Sequence, residues 1–298
     1  MLIDYFAGNV GLGKETIIQL SHHNPSHIYL GARTESKALA AIKDIQSLVP
    51  NARITFLPCD LTSLKSVQAC ARKFVAIESR LDILILNAGV MALPPGTTED
   101  GYEIQFGTNH MGHALLAKLL LPTLVKTAEE PGADVRVVVL SSVGHVPAWG
   151  ISFAQQKTDM KSYSTWSRYA ESKLANILFA KELAKRYKNI TAVSLNPGLV
   201  DTDLFESVFG WFGPLRRAVE SVKGLVFVKV QEGAKNSLWA ATAPLEGKDA
   251  STTGRGVKSG VYYMPIGVDE GANRAARDPA LAEKLWEWTE KELEGWEL

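Results

Sequence analysis

The chain has 298 residues, of which 46% are hydrophobic, and its 32 basic residues balance 32 acidic ones. A chain of this size can bury one large core, and zero net charge argues against nucleic acid or an anionic membrane as the main partner. Cys59 and Cys70 suggest no disulfide framework, and no apolar run approaches the roughly 18 residues that span a bilayer. We therefore expect one domain, residues 1–298, in a reduced, cytoplasmic setting.

Short apolar runs alternate with longer helical patterns along the chain. The predicted strands are Leu2–Phe6, His27–Gly31, Arg53–Pro58, Asp82–Asn87, Val135–Ser141, Ile190–Asn196 and Gly260–Met264. The predicted helices are Gly13–Ser21, Glu35–Leu48, Ser63–Glu78, Tyr102–Leu121 and Ser167–Tyr187. Apolar strands that alternate with helices are typical of a parallel sheet covered on both faces. The pattern predicts an α/β fold of the Rossmann type, a doubly wound parallel sheet of about seven strands whose ligands bind at the strands' carboxyl ends.

The turn after the first predicted strand is rich in glycine. It reads Ala7-Gly8-Asn9-Val10-Gly11-Leu12-Gly13. Glycines at this place let the backbone approach a pyrophosphate, which can bind at the N-terminus of the following helix. A tight structural turn has a similar composition, so the turn alone leaves both interpretations open.

The residues after the second predicted strand bear on the choice of dinucleotide. Enzymes that prefer NAD usually carry an acidic residue here, which binds the ribose 2′-hydroxyl. In this chain Ala32 is followed by Arg33. Arg33 is suited to a charge-assisted contact with a 2′-phosphate, and Lys14 is placed to help. This favours NADP(H) over NAD(H), the alternative being that both residues are ordinary surface charges.

A tyrosine and a lysine lie four residues apart in the last long predicted helix, in Tyr169-Ala170-Glu171-Ser172-Lys173. At this spacing the two side chains share one helix face. An ammonium beside a phenol favours the phenolate and brings the tyrosine toward the range of acid–base catalysis. Taken alone, the pair also fits an ordinary solvated helix.

Five further motifs lie near predicted strand ends or in a following helix. They are Asp60 in Cys59-Asp60-Leu61, the segment Asn87-Ala88-Gly89, Asn109 in Thr108-Asn109-His110-Met111-Gly112, Ser142 in Leu140-Ser141-Ser142, and Asn196-Pro197-Gly198-Leu199-Val200 with Thr202 beyond. Together with the glycine-rich turn and the Tyr-Lys pair, they resemble the short-chain dehydrogenase/reductase family. The resemblance is closest to its retinol-dehydrogenase-like and fungal carbonyl-reductase members, and it spans nearly the whole chain.

The resemblance implies a set of site residues. The catalytic positions are Asn109, Ser142, Tyr169 and Lys173. The cofactor-binding positions are Gly8, Gly11, Leu12, Gly13, Arg33, Asp60, Leu61, Asn87, Ala88, Gly89, Tyr169, Lys173, Pro197, Gly198, Val200 and Thr202. No metal site is implied, and the six histidines show no metal-ligand spacing.

The resemblance also implies a reaction. Hydride passes between the nicotinamide and a carbonyl or carbinol carbon of a hydrophobic ketone, aldehyde or secondary alcohol. Tyr169 acts as the general acid/base and Ser142 stabilises the substrate oxygen, while Lys173 lowers the tyrosine pKa and binds the ribose. Asn109 links Lys173 to a water chain. Family members form homodimers or homotetramers, and the fungal members suggest a role in secondary metabolism or detoxification.

The chain departs from the family pattern in its first turn. Phe6 and Ala7 stand where the family usually has Thr-Gly, the first strand is short, and Asp4 is unusual for a central strand. These features predict weakened rather than abolished cofactor binding. They also leave open an alternative in which the protein is a non-catalytic binding or scaffold protein, or a redox-neutral enzyme, on the same fold.

Three later segments carry expectations of their own. Ser142 precedes Tyr169 by 27 residues, and the insert His145–Trp166 is expected to shape the substrate site or to be a surface excursion. The segment around 201–230 is rich in Phe, Trp and Val and is expected to be a substrate lid, with a dimer contact or shallow membrane association as alternatives. Leu281–Leu298 is expected to form an amphipathic helix.

Overall fold

The computed structural model describes residues 2–6, 9–200, 228–246 and 256–298; for residues 2–6 only the backbone is considered. The described residues form one seven-stranded sheet. Its strands are β1 (Leu2–Phe6), β2 (His27–Ala32), β3 (Ile54–Pro58), β4 (Ile83–Leu86), β5 (Val135–Leu140), β6 (Ile190–Leu195) and β7 (Tyr262–Tyr263). All pairings are parallel, and the order is β3-β2-β1-β4-β5-β6-β7. The predicted doubly wound fold is confirmed, and the order reverses between β1 and β4, where such folds bind ligands.

Helices cover both faces of this sheet. They are α1 (Gly11–Ser21), α2 (Glu35–Leu48), α3 (Leu64–Ile77), α4 (Gly112–Ala128), α5 (Thr165–Arg186), α6 (Val230–Thr242) and α7 (Pro279–Glu292). A helical turn, Ile104–Phe106, and a π-helical segment, Gly107–Met111, lead into α4, so the helix predicted at Tyr102–Leu121 starts later and extends further. The sequence did not predict α6.

The short first strand is complete. Leu2 to Phe6 pair in register with His27 to Gly31 of β2, and Ile3 to Phe6 pair with Ile83 to Leu86 of β4. The five residues available before the glycine-rich turn are therefore enough to form a central strand, and Phe6 lies at its carboxyl end.

The side chains of strand β4 are buried on both faces of the sheet. Ile83 and Ile85 point into a cluster with residues of α1, α2 and α6, whereas Leu84 and Leu86 point into a cluster with residues of α3, α4 and α5. All four side chains are at most 1% exposed. Continuous apolar runs of this kind pack into one hydrophobic core on each face of the sheet. The carboxyl ends of the strands are therefore held rigidly, which fixes the positions of the side chains that follow them.

The last helix packs against α5. Asp278 caps α7 by accepting hydrogen bonds from Ala280 N and Leu281 N, and Pro279 occupies its first turn. The ring of Trp286 stacks on Phe179 of α5, with 5.5 Å between centroids. The predicted amphipathic helix is present and packs over α5, but it begins at Pro279 and ends at Glu292, whereas the sequence predicted Leu281–Leu298.

Candidate active site at the carboxyl ends of β4, β5 and β6

Helix α5 carries Tyr169 and Lys173 on a buried face. Ser164 begins the helix as its N-cap and accepts a 3.0 Å hydrogen bond from Ser167 N. Tyr169 is 5% exposed and Lys173 4% exposed, and Lys173 Nζ lies 5.9 Å from the centre of the tyrosine ring. A solvated helix face would leave both groups open to water, so burial decides against the interpretation of the pair as ordinary surface residues.

Ser142 follows β5 and faces Tyr169. Its side chain hydrogen-bonds to the Tyr169 hydroxyl, and Ser142 Oγ also accepts a 3.0 Å hydrogen bond from Gly144 N. The second contact fixes the serine in the turn that follows the strand. The structure therefore brings together three of the four predicted catalytic residues, Ser142, Tyr169 and Lys173.

Burial sets the protonation of this group. It raises the pKa of Tyr169 to about 12, against the lowering effect of the hydrogen bond from Ser142. It lowers the pKa of Lys173 to about 8. The sequence predicted that Lys173 would lower the tyrosine pKa, but burial dominates. At neutral pH Tyr169 is a neutral phenol, which is a proton donor, and Lys173 is an ammonium.

Asn109, the fourth predicted catalytic residue, lies in the π-helical segment and is completely buried. Its side chain accepts from Val90 N at 2.7 Å and donates to Val90 O and Ser172 Oγ, both at 2.9 Å. A Cβ on Gly89 would lie 3.1 Å from Lys173 Nζ and 3.5 Å from Asn109 Oδ1. Asn109 and Lys173 thus flank Gly89, and the missing side chain at the third position of Asn87-Ala88-Gly89 leaves room for their close approach.

The segment predicted to cradle the nicotinamide follows β6. Gly198 has φ +94°, a conformation that favours glycine, and Asn196 Oδ1 accepts from Val143 N at 3.3 Å, next to Ser142. Asn236 of α6, fully buried, donates to Asn196 O at 2.8 Å and accepts from Gly267 N at 3.1 Å. Sequence reasoning missed Asn236, which stands between Lys235 and Ser237 without a motif that marks it. Thr202 lies outside the described residues.

The N-terminus of α1 suits a pyrophosphate. Gly11 has φ +51°, Val10 at the N-cap provides no side-chain hydrogen bond, and no acidic residue lies in the first turn. The first amide N–H groups of α1 are therefore free of a capping side chain in a positive helix-dipole field. Leu12 reaches Val200 across Gly233, where an added Cβ would lie 2.8 Å and 2.3 Å from their side chains. The described part of the turn fits the dinucleotide, and Gly8 lies outside the described residues.

The structure places the residues predicted to bind the adenine and the 2′-phosphate of the dinucleotide in different surroundings. Asp60 Oδ1 accepts from Thr62 N at 3.0 Å, which shapes the turn that also holds Leu61 after β3. Arg33 is exposed just after β2, and among the described residues it makes no ion pair or hydrogen bond. Lys14 is instead paired with Asp44 at 2.6 Å, about two and a half turns along α2 from the start of that helix. Of the two basic residues predicted to contact a 2′-phosphate, Arg33 is therefore free to do so and Lys14 is not.

Buried charges fasten the insert between Ser142 and Tyr169. Glu171 of α5 accepts hydrogen bonds at 2.8 Å from Ser152 N, Ser152 Oγ and Gln156 Nε2. Arg168 forms a fully buried 2.6 Å ion pair with Glu103. Sequence reasoning missed these contacts, because residues of opposite sign 65 positions apart in sequence give no local pattern. Because Glu103 N also donates to Gln156 O at 2.8 Å, both contacts connect the insert to the catalytic helix, one on each side of Tyr169.

Two of the six histidines lie close to Asn109 in sequence. His110 and His113 are buried in and after the π-helical segment, and burial lowers the pKa of each to about 3, so both are neutral. Within the described ranges, no group of three or more His, Cys, Asp or Glu side chains is arranged to hold a metal ion. Among those same residues, no helix combines the length and apolar character needed to cross a bilayer.

Comparison with known proteins decides the family. The family model described as short chain dehydrogenase matches residues 4–211. The chain belongs to the short-chain dehydrogenase/reductase family. It is 38% identical to the short-chain dehydrogenase/reductase drtF of Aspergillus calidoustus, over 98% of this chain and 93% of that protein. It is 37% identical to retinol dehydrogenase 11 of Mus musculus, over 94% of this chain and 82% of that protein.

A solved structure agrees with this placement. The crystal structure of an uncharacterised protein of Mycobacterium paratuberculosis superposes with a TM-score of 0.73 at 28% identity, covering 98% of this chain and 92% of that one. As a short-chain dehydrogenase/reductase, the protein is an oxidoreductase of a family that uses NAD(P)(H).

Proposed function

We propose that this protein is an NADP(H)-dependent oxidoreductase that interconverts a hydrophobic ketone or aldehyde and the corresponding alcohol, with Tyr169 as general acid/base. The observation that carries the proposal is the constellation of buried Tyr169 and Lys173 with half-buried Ser142 at the carboxyl ends of β5 and β6. Burying a phenol beside an ammonium costs folding free energy, and ionisable groups whose pKa values are shifted by burial cluster at functional sites.

The dinucleotide supplies or accepts the hydride. In the reductive direction, the substrate oxygen becomes negative as its carbon gains hydride, and the Tyr169 O–H passes its proton to that oxygen. Ser142 Oγ donates a hydrogen bond to the same oxygen and stabilises the developing charge. Lys173 holds its positive charge beside the phenolate that remains, until a proton from water restores Tyr169. A tyrosine that keeps its proton at neutral pH can act as the proton donor in this direction.

Arg33 supports NADP(H) as the preferred dinucleotide. It stands at the carboxyl end of β2, immediately before the N-cap Thr34 of α2, whose side chain makes no capping hydrogen bond. A guanidinium and an uncapped helix N-terminus together favour a dianionic 2′-phosphate. Glu35 in the first turn opposes the anion, so Arg33 is expected to provide most of the selectivity.

Exposed apolar side chains support a hydrophobic substrate. Val143 directly after Ser142, Leu199 after β6 and Ile266 after β7 are 40%, 39% and 45% exposed. All three follow strands at the edge that holds Tyr169, and burying them against a substrate is favourable. The proposed lid around 201–230 lies outside the described residues except for its last three, of which Val228 N donates to Leu199 O at 2.8 Å. The role of this segment as a lid stays a prediction. The following also stay predictions: the single domain over residues 1–298, the cytoplasmic location, a homodimer or homotetramer, and a place in secondary metabolism.

The first experiment is a fluorescence titration of the purified protein with NADPH and with NADH. We expect micromolar binding of NADPH and weaker binding of NADH. Arg33→Ala is expected to weaken NADPH binding by about ten- to a hundredfold and to leave NADH unchanged, because one charge-assisted phosphate contact contributes about 1.5–3 kcal/mol. Lys14→Ala is the matched control, since Lys14 is held by Asp44.

Either outcome of the titration is informative. Equal affinities for the two dinucleotides, or an equal loss for both in Arg33→Ala, would contradict the preference for NADP(H). Absence of binding in a folded sample would favour the alternative suggested by Phe6 and Ala7, a binding protein or a redox-neutral enzyme that kept the catalytic residues. Phe6→Thr/Ala7→Gly would then be expected to restore dinucleotide binding.

A further inference from the structure

His113 is a buried polar residue beside the catalytic group. The proposed reaction gives it no role. It lies one turn after Asn109 in α4 and is 1% exposed. Its Nδ1 lies 3.1 Å from the main-chain oxygen of Asn109. The π-helical segment Gly107–Met111 immediately precedes it, and such segments often mark functional sites because they displace backbone carbonyls from the regular helical ladder.

The contact with Asn109 fixes the tautomer of His113. A carbonyl oxygen only accepts hydrogen bonds, so Nδ1 must carry the hydrogen, and the neutral ring then presents Nε2 as an acceptor. Nε2 is fully buried and has no hydrogen-bond partner among the described residues. Such an atom costs roughly 1–3 kcal/mol unless a donor reaches it, and in native proteins the donor is often an ordered water.

Lys173 lies near His113, because both border Asn109: a Cβ on Gly89 would stand 3.1 Å from Lys173 Nζ and 3.5 Å from Asn109 Oδ1, and His113 Nδ1 contacts the main-chain oxygen of Asn109. After burial, the Lys173 charge is the next largest cause that lowers the His113 pKa. Lys173 Nζ donates to Leu140 O at 3.2 Å, which uses one of its three N–H groups. A buried ammonium needs further acceptors, and a buried imidazole nitrogen needs a donor. The other titratable group beside Lys173 is Tyr169, which keeps its proton at neutral pH.

We propose that His113 is a positioning residue of the active site, whose Nδ1 holds the Asn109 carbonyl and whose Nε2 accepts a hydrogen bond from a buried water bound by the Lys173 ammonium. The water accepts from Nζ and donates to Nε2, so the charge of Lys173 is solvated from inside the protein. This inference rests on the proposed function, because it assigns a support to the charge that holds the Tyr169 phenolate. It adds a residue from α4 to a catalytic group otherwise built from α5, the strand ends and the π-helical segment that carries Asn109.

His110 offers a matched control within the same helix. It is equally buried, and the same burial lowers its pKa to about 3. Its Nε2, however, is 3.1 Å from Thr289 Oγ1 of α7, and its ring packs edge-on against Phe106 and Phe179. Its side chain also hydrogen-bonds with Asn176, so neither ring nitrogen of His110 is among the described buried atoms without a partner, and substitution of His110 tests the cost of disturbing a buried histidine whose ring nitrogens are satisfied.

The test measures the pKa of Lys173 by NMR, from the titration of its labelled ε-methylene group in the protein without dinucleotide. His113→Asn keeps an amide N–H near the Nδ1 position and removes the Nε2 acceptor. We expect His113→Asn and His113→Leu to lower the Lys173 pKa by about half a unit or more, because the ammonium loses an acceptor. His113→Gln, whose amide oxygen can replace Nε2, is expected to keep it close to the wild-type value, and His110→Leu to leave it unchanged.

Turnover gives a second readout. His113→Asn is expected to lower kcat with NADPH by about tenfold and to leave KM within about twofold, because only the charge beside Tyr169 is affected. An unchanged Lys173 pKa in folded His113→Asn, or an equal shift in His110→Leu, would overturn the proposal. The pKa readout needs no turnover. A wild-type protein without activity would therefore contradict the proposed function alone, and the Lys173 titration would still decide the role of His113.

Discussion

Gly144 lies against the ring of Tyr169. A Cβ at position 144 would stand 2.7 Å from Tyr169 Cε1 and 3.3 Å from Ser142 Oγ. The tyrosine ring packs in a buried cluster with Met91 and Ala92, which restricts its movement away from position 144. The absence of a side chain at position 144 is therefore what allows the phenol to reach Ser142.

Gly144→Ala is expected to displace the ring of Tyr169 and to lower kcat by about ten- to a hundredfold, because small misplacements of reacting groups are costly. NADPH affinity should change little, since Gly144 does not belong to the dinucleotide-binding positions. Gly150→Ala is the control, because a Cβ there meets nothing within 4 Å. Steady-state kinetics with matched titrations of NADPH check this. A kcat equal to that of Gly150→Ala would mean that the ring adapts.

Tyr169→Phe is expected to reduce turnover at least about a hundredfold, because the proton donor is lost. Dinucleotide affinity should stay within about twofold, since the ring and its packing are kept. Tyr262→Phe is a matched control: that tyrosine is 4% exposed, and its hydroxyl contacts Met264 Sδ at 3.6 Å. Single-turnover rates measured with saturating NADPH separate chemistry from binding. Substantial activity in Tyr169→Phe would refute the role of general acid.

Lys173 couples activity to stability. Burial lowers its pKa from 10.5 to about 8, so between these values the unfolded state binds more protons and stability rises with pH. Below this window the buried charge costs the folded state up to about 3 kcal/mol. Lys173→Met should therefore be inactive yet more stable at pH 7, and its advantage should shrink as the pH rises through 8 toward 10.5. Urea unfolding of both proteins across this range measures the effect, and a pH-independent difference would contradict it.

The buried pair of Arg168 and Glu103 should matter to stability when only one partner is removed. Arg168→Met leaves the Glu103 carboxylate buried without its cation, and we expect a loss of about 3–5 kcal/mol in the free energy of unfolding. Glu103→Gln/Arg168→Met should recover part of this loss, because no uncompensated charge remains. Lys235→Ala, which breaks an exposed pair with Glu232, should change stability by less than about 1 kcal/mol. Equal losses in Arg168→Met and Lys235→Ala would contradict the effect of burial.

Much of the fold was predictable because its signals are local. The run Ile83–Leu86 is continuously apolar, and the helix Glu35–Leu48 has the bounds that the sequence predicted. Helix α6 was missed because its buried positions, which include Gly233, Ala234 and Ser237, are small and give little hydrophobic contrast. The packing that admits such residues is tertiary, and a single sequence does not display it.

The site divides in the same way. The i,i+4 spacing of Tyr169 and Lys173 predicted a shared face, and the structure places both on it. Their protonation was not predictable, because it depends on burial by residues distant in sequence. Asn273, which donates to His145 O, Val146 O and Ala148 O at 3.2, 3.0 and 2.7 Å, comes from more than 120 positions away, and no motif announces it.

The packing of α7 on the catalytic helix has a consequence for synthesis in the cell. Arg186 ends α5 and Pro279 begins α7, so about 90 residues must be translated before Trp286 can cover Phe179, which takes roughly 5–20 s at the usual pace of a ribosome. During that interval the nascent chain carries Tyr169 and Lys173 on a helix whose outer side is still bare. Until Trp286 is added, the outer side of the catalytic helix is uncovered, so the nascent chain is expected to bind chaperones and to be inactive during that interval.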